Sequence, residues 1–371
     1  MKTKNKLLDF IKVNKYEIIK RHFNSRYFSL QFPRSFKKYE IKAGHFLSIH
    51  SPRVFANFFK LSLDALSELI NHPKYACFSI PKKKGGTRSI EAPNDELKQI
   101  QSTINFYLQS YYLNIKPANV HGFVISNYEY LQKSNIIENA RLHIKSKHVL
   151  TIDLKDFFSS ISSNQIYKLF SSDLFDFTDD IAKALTFLCT YKGMLPTGAP
   201  TSPVLSNFIC LNLDHALQSI CEKNDITYSR YADDLTFSSN NLFTDSISSD
   251  LKSIIEQHHF TINPKKTRLK SSNRKQIVTG LIVNDKVNID RKTLKLIRAI
   301  LHDCKVNGIE KAATNHFNLK VTPSDEIIEK FRNKLNGHIN FVKQVRGDDS
   351  LYKKMRGEFI SVFVEKMKLA K

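Results

Sequence analysis

The stretch ITYSRYADDLTFSS, residues 226–239, sets two adjacent carboxylates, Asp233 and Asp234, between two strand-like runs. The runs 226–231 and 235–239 meet at Ala232-Asp233-Asp234, and Tyr228, Tyr231, Leu235 and Phe237 are the side chains of a packed hairpin. Neighbouring acids repel each other, and desolvating one without a partner costs several kcal/mol. Asp is also common in solvated turns. A pair of acids at the tip of a buried hairpin needs cations; a pair on an open turn needs only water.

A third carboxylate, Asp153, ends the apolar run HVLTIDL at 148–154 and is followed by Phe157-Phe158. It lies 80 residues before Asp233, so the two can meet only if their strands share one sheet. Three clustered acids would suit hard cations with oxygen ligands, Mg²⁺ above all. A pair of such ions about 4 Å apart activates a hydroxyl and stabilises a leaving pyrophosphate. Between the acids runs LPTGAPTSPVLSN at 195–207, opening one long helix. Ser202 is its expected N-cap and Pro203 its first residue, with Leu205, Ile209, Leu213, Leu217 and Ile220 on one face.

Outward from this centre the periodicities predict further elements. Helices are expected over Leu61–Leu69, 95–114, 163–171, 178–190 and 245–258, with helical patches at Leu7–Ile11 and Tyr16–Ile19. CFSIPKKKGGTRSIEAP reads as a hairpin turning through Gly85-Gly86. Short strands are expected near 260–262, 277–283 and 287–289, then a helical tail from 291 that alternates basic and apolar residues.

The 371 residues carry 57 Lys and Arg against 35 Asp and Glu, a net charge of +22. Such a surplus repels itself unless a polyanion neutralises it, and basic residues interleaved with Tyr and Phe favour nucleic acid over a membrane surface. Five cysteines, none in a C-x-x-C pair, argue against a zinc knuckle or a disulfide framework. The start lacks a signal-peptide apolar region, and no apolar run of about 18 residues occurs, so a cytoplasmic protein without a membrane partner is expected.

DLKDFF at 153–158, LPTGAPTSPVLSN and YADD, in that order, resemble motifs A, B and C of a reverse transcriptase palm. The resemblance implies an α+β right-hand polymerase. A basic helical extension would span 1–60, fingers 61–150, a palm of antiparallel sheet plus helices 151–285, and a helical thumb 286–371. Asp153 and Asp233 would ligate two Mg²⁺ ions and Asp234 would be the third catalytic carboxylate, while Asp156 lies off the ligand position. Phe158 falls at the steric-gate position that excludes a ribose 2′-OH. Lys82, Lys83 and Arg88 resemble the fingers cations that hold the incoming triphosphate, and an Arg fork suits phosphate oxygens. Gly198 would let backbone approach the nucleotide, although Thr197 stands where many relatives have Gln. Lys265 or Lys266 resembles the lysine of motif D.

Asn139-Ala140-Arg141-Leu142-His143 and Val278-Thr279-Gly280 are similar to the N-A-x-x-H and V-T-G signatures of retron reverse transcriptases. Asn139 and His143 could present donors to RNA or brace the fold. Arg291, Lys295 and Arg298 would belong to an RNA-binding thumb. Retron membership implies deoxynucleotide addition on a cognate non-coding RNA, primed from an RNA 2′-OH. The branched product, msDNA, would act with a co-encoded effector protein in anti-phage defence. A group II intron protein, which usually continues into further domains, and a diversity-generating enzyme, whose motif B departs from Ser202-Pro203, fit less well. A basic module that merely binds RNA would have no use for the three acids.

Overall fold

A computed structural model of the chain describes residues 37–82, 85–125 and 134–365; the helical patches expected at 7–11 and 16–19, and Lys83, lie outside them. The chain divides into two compact units, Met1–Asn135 with Leu150–Leu269, and Ile136–Val149 with Lys270–Lys371.

In the first unit, helices α1 (Lys38–Leu47), α2 (Pro52–Phe58) and α3 (Leu63–Asn71) lead to the hairpin β1 (Tyr75–Pro81) and β2 (Thr87–Pro93). Each of the later two helices starts where a hydroxyl satisfies a free backbone N–H: Ser51 accepts from Val54, and Ser62 from Ala65. That cap at Ser62 is why the helix begins at Leu63 and not at Leu61. The hairpin pairs Tyr75 with Pro93 through to Pro81 with Thr87, and Gly85 and Gly86 turn it at φ of +89° and +80°. Next comes α4 (Asp95–Ile115), capped by Asn94.

β3 (His148–Asp153), α6 (Ser163–Ser171), α7 (Asp179–Cys189), α8 (Ser202–Ile209) and α9 (Leu211–Lys223) follow α5 (Ile136–Arg141), which belongs to the second unit. They precede β4 (Thr227–Tyr231), β5 (Asp234–Ser239), α10 (Asp245–Gln257) and β6 (Arg268–Ser271). The single long helix expected from Ser202 is two helices, broken at Cys210, whose ψ of −3° departs from helical geometry. Ser202 is its first residue and not its cap, because its hydroxyl is committed to the Pro196 carbonyl at 2.7 Å. Residues 260–262 form only an isolated bridge between Ile262 and Leu154, whereas β6 arises in a stretch with no strand pattern to announce it.

The four-stranded sheet runs β4-β5-β3-β6. Its helical cover is rich in rings: Phe208 meets Tyr111, Tyr112 and Phe175 at 5.0–5.7 Å. Phe46 of α1 stacks on Tyr107 at 5.9 Å, so the described residues before 60 join this core. Aromatic pairs of this kind add roughly 0.5–1.5 kcal/mol beyond area burial.

The second unit combines α5, β7 (Ile277–Val278) and β8 (Leu281–Ile282) with α11 (Arg291–Asn307), α12 (Ile309–Phe317), α13 (Asp325–Arg346) and α14 (Ser350–Ile360). Its core includes Leu294, Ile297, Leu301, Phe331, Leu335, Ile339 and Phe359. Among the described residues no helix is long and apolar enough to cross a membrane, and all five cysteines are unpaired.

Candidate active site

Tyr231 pairs with Asp234 across β4 and β5, leaving Ala232 and Asp233 as the two-residue turn. Ala232 takes φ +61°, the left-handed conformation such a turn needs and a β-carbon normally resists. The sheet order places β5 beside β3, and the Leu154 N–H donates to the Asp233 carbonyl at 3.0 Å. The condition that both strands share one sheet is therefore met, and Asp153, Asp233 and Asp234 interact electrostatically.

Burial, then the charge of Asp153, raises the Asp233 carboxyl above its usual range. Asp234 is pushed up to about 6, by desolvation first and by Asp233 and Asp153 next. It nevertheless keeps an exposed face, which the buried Asp153 does not. Three acids gathered this closely, with Asp233 and Asp234 shifted upward, suit a site completed by cations, and hard oxygen donors suit a divalent metal. Among the described residues no three His, Cys, Asp or Glu side chains are already drawn into a finished ligand set.

Asp153 is held by protein groups. Lys266 Nζ donates to its two oxygens at 2.7 and 3.0 Å, and Asn263 Nδ2 donates to Oδ2 at 3.0 Å. The Asn263 N–H also donates to the Asp153 carbonyl at 2.8 Å. Of the two lysines left open by the sequence, the structure brings Lys266 to the acids. Asn263 escaped the sequence reading; the only signal was its place at the head of N-P-K-K-T.

Arg88, exposed on β2, is close enough to Asp233 to lower its pKa. Lys82 is exposed at the hairpin end, where its N–H donates to the Gly86 carbonyl at 2.9 Å. Phe158 is half-buried, 5.7 Å from Phe123 and 5.5 Å from Phe157 between ring centroids. Gly198 adopts φ +135°, and a Cβ there would stand 2.9 Å from the Glu91 carbonyl oxygen. The close approach that demands glycine is thus to β2, where the Glu91 N–H also donates to the Thr197 carbonyl at 2.8 Å. Asp156 lies exposed at φ +49° beside Lys155.

Behind the acidic turn is a buried network the sequence reading did not single out. Arg230 has no exposed surface; Nε and Nη2 donate to Asp214 at 2.8 and 2.7 Å. Nη1 donates to Asn207 Oδ1 at 2.9 Å and to the Ala232 carbonyl at 3.2 Å. The Tyr228 hydroxyl donates to Asp214 at 2.8 Å. An Asp on the apolar face of a helix, with an Arg in an apolar strand, was the available signal.

In the second unit, the start of α5, the helix that carries Asn139, is tied to the 278–280 segment: Thr279 Oγ1 donates to the Ile136 carbonyl at 2.8 Å. Asn139 and His143 are fully buried, the placement expected of residues that brace the fold. Arg291, Lys295 and Arg298 are exposed on one face of α11, at i, i+4 and i+7, while the apolar positions Leu294, Ile297 and Leu301 turn the adjoining face inward.

Residues 80–295 match the family described as reverse transcriptase (RNA-dependent DNA polymerase). The chain is 34% identical over 249 residues to the retron Ec86 reverse transcriptase of Escherichia coli, covering 66% of this chain and 74% of that protein. It is 31% identical over 274 residues to the retron Mx65 reverse transcriptase of Myxococcus xanthus, covering 69% of this chain and 58% of that one. Among solved structures, telomerase from Candida albicans aligns over 85% of this chain and 68% of its own, with 11% identity and a TM-score of 0.42.

Proposed function

The chain belongs to the reverse transcriptase family, among the retron enzymes, and on that premise we propose that it copies part of a cognate non-coding RNA into branched msDNA. It is an RNA-directed DNA polymerase of the right-hand fold, taking an RNA template, deoxynucleotides and a divalent metal. Fingers over 61–150, palm over 151–285 and thumb over 286–371 make up this reading, with priming from an RNA 2′-OH. The metal is Mg²⁺, two ions per site. A co-encoded effector, a cytoplasmic setting and a role against phage complete it.

The observation that carries the reading is the junction of the 232–233 turn with the end of β3, joined by the Leu154–Asp233 hydrogen bond. Mutual repulsion there leaves Asp233 and Asp234 short of positive charge. Asp153, Asp233 and Asp234 would hold the metal, which supplies charge neutralisation at the attacking hydroxyl and the departing pyrophosphate. Lys266 balances the charge of Asp153 through its ion pair until then. Arg88 and Lys82, on the exposed hairpin, are placed to bind triphosphate oxygens, the former as a fork and the latter as a point charge. Phe158 excludes the ribose 2′-OH, its ring braced by Phe123 and Phe157. Gly198 acts indirectly, by letting its loop seat against β2.

Primer extension on an RNA template tests the assignment. The wild type extends with deoxynucleotides, whereas Asp233→Asn/Asp234→Asn loses extension by at least three orders of magnitude, on the order of 4 kcal/mol of transition-state stabilisation. Retained synthesis by the double variant would remove the three acids from the mechanism.

A further inference from the structure

We infer that Arg230 is a positioning residue of the polymerase site, clamped by Asp214 and Asn207 so that it fixes the backbone on which Asp233 is carried. The inference rests on the polymerase reading above. The Ala232 carbonyl that accepts from Arg230 Nη1 belongs to the peptide bond leading directly into Asp233. The same guanidinium is gripped by Asp214 of α9 at two atoms and by Asn207 of α8 at a third. Arg230 is also held through its backbone: its N–H donates to the Asn119 carbonyl, and its carbonyl accepts from His121, both at 3.0 Å. The neighbouring Gly122 carbonyl accepts from Asn207 Nδ2 at 3.0 Å. A Cβ on Gly122 would collide with the Ala232 nitrogen, so this segment rests directly against the turn.

Two helices and the 119–122 segment thus converge on the three residues of the hairpin, 230–232, that precede the carboxylate. Stability alone does not account for an ion pair in that place. Two desolvated charges are often replaceable by apolar residues of similar volume at no loss of stability, although removing only one of them is strongly destabilising. What apolar side chains cannot supply is direction. A planar guanidinium offers donors at fixed angles, and here they reach three different acceptor groups from three segments. A lysine in its place would be one point charge, unable to span Asp214 and the turn together.

The test separates positioning from support. Arg230→Met alone leaves Asp214 buried without a partner, and a large fall in melting temperature is expected. The triple variant Arg230→Met/Asp214→Leu/Tyr228→Phe removes both charges of the ion pair and the hydroxyl that donates to Asp214, and most of the melting temperature returns. Its kcat for deoxynucleotide addition on an RNA template stays down on the order of 100-fold, with KM for the nucleotide within about threefold of wild type. Arg230→Lys falls between. A stable triple variant copying RNA at the wild-type kcat overturns the inference.

Gly122→Ala gives an independent reading that leaves the ion pair intact. Gly122 does not occupy the left-handed region, so the added methyl acts by collision with the turn alone. A reduced kcat is expected in the folded variant, and an unchanged kcat again overturns the inference. Wild-type protein in the same assay keeps the two levels apart. If it copies RNA while the variants match it, only the role of Arg230 fails; if it copies nothing, the polymerase reading fails and takes this inference with it.

Discussion

Asp234 sits in a field of two other acids, and the direction of its shift fixes how stability should follow pH. Its carboxyl titrates near 6 in the fold, above the range of an unfolded chain, so the fold disfavours the ionised form. That cost is present above about pH 6 and fades as pH falls toward the unfolded value near 4. In chelator, Asp234→Asn should therefore melt above wild type at pH 8, with the difference closing by about pH 4. Equal melting at pH 8 would contradict the repulsion. Lys266 acts in the opposite sense, lowering both Asp233 and Asp234. Lys266→Gln should move the acidic limb of the pH–rate profile to higher pH. The shift should be modest, because the lysine side chain is 63% exposed and water screens it.

At the scale of elements, the hairpin β1–β2 and the 195–201 loop meet at Glu91, where one backbone hydrogen bond and the missing Cβ of Gly198 set the spacing. Alanine there would combine an unfavourable φ with a collision, a cost of about 1–3 kcal/mol. Gly198→Ala should lower the melting temperature and raise KM for the nucleotide, since Arg88 and Lys82 ride on the same hairpin. Steady-state kinetics with varied nucleotide would measure it; an unchanged KM would detach the hairpin from substrate binding. The hairpin itself was legible because Gly-Gly stood between two short apolar runs. The break at Cys210 was not legible, since Leu205, Leu213 and Leu217 keep one helical face across it and all are buried.

For the whole molecule, the net charge of +22 makes affinity for RNA a function of salt. Arg291, Lys295 and Arg298 offer one test of where that charge acts. Replacing all three with alanine should weaken RNA binding and reduce the slope of log affinity against log salt by about 2. Fluorescence anisotropy across a salt series would read both quantities. The melting temperature should change little, because all three side chains are exposed. An unaltered slope would move the RNA contact away from this face of α11.

The order of three acidic and glycine-proline motifs, the hairpin, the long apolar helices and the basic surplus were all determined by sequence, because each is a local pattern or a sum over residues. Only the folded chain decided which groups serve the acids from a distance. Asn263 and Lys266 reach Asp153 across 110 and 113 residues. Arg230, Asp214 and Asn207 look in sequence like ordinary members of a strand and a helix. Likewise, Asn139 and His143 carry a recognisable signature, but their burial was settled by packing within their own unit. The physical reason is the same throughout: a buried polar group must find its partner, and the partner is chosen by tertiary proximity, which no period along the chain encodes.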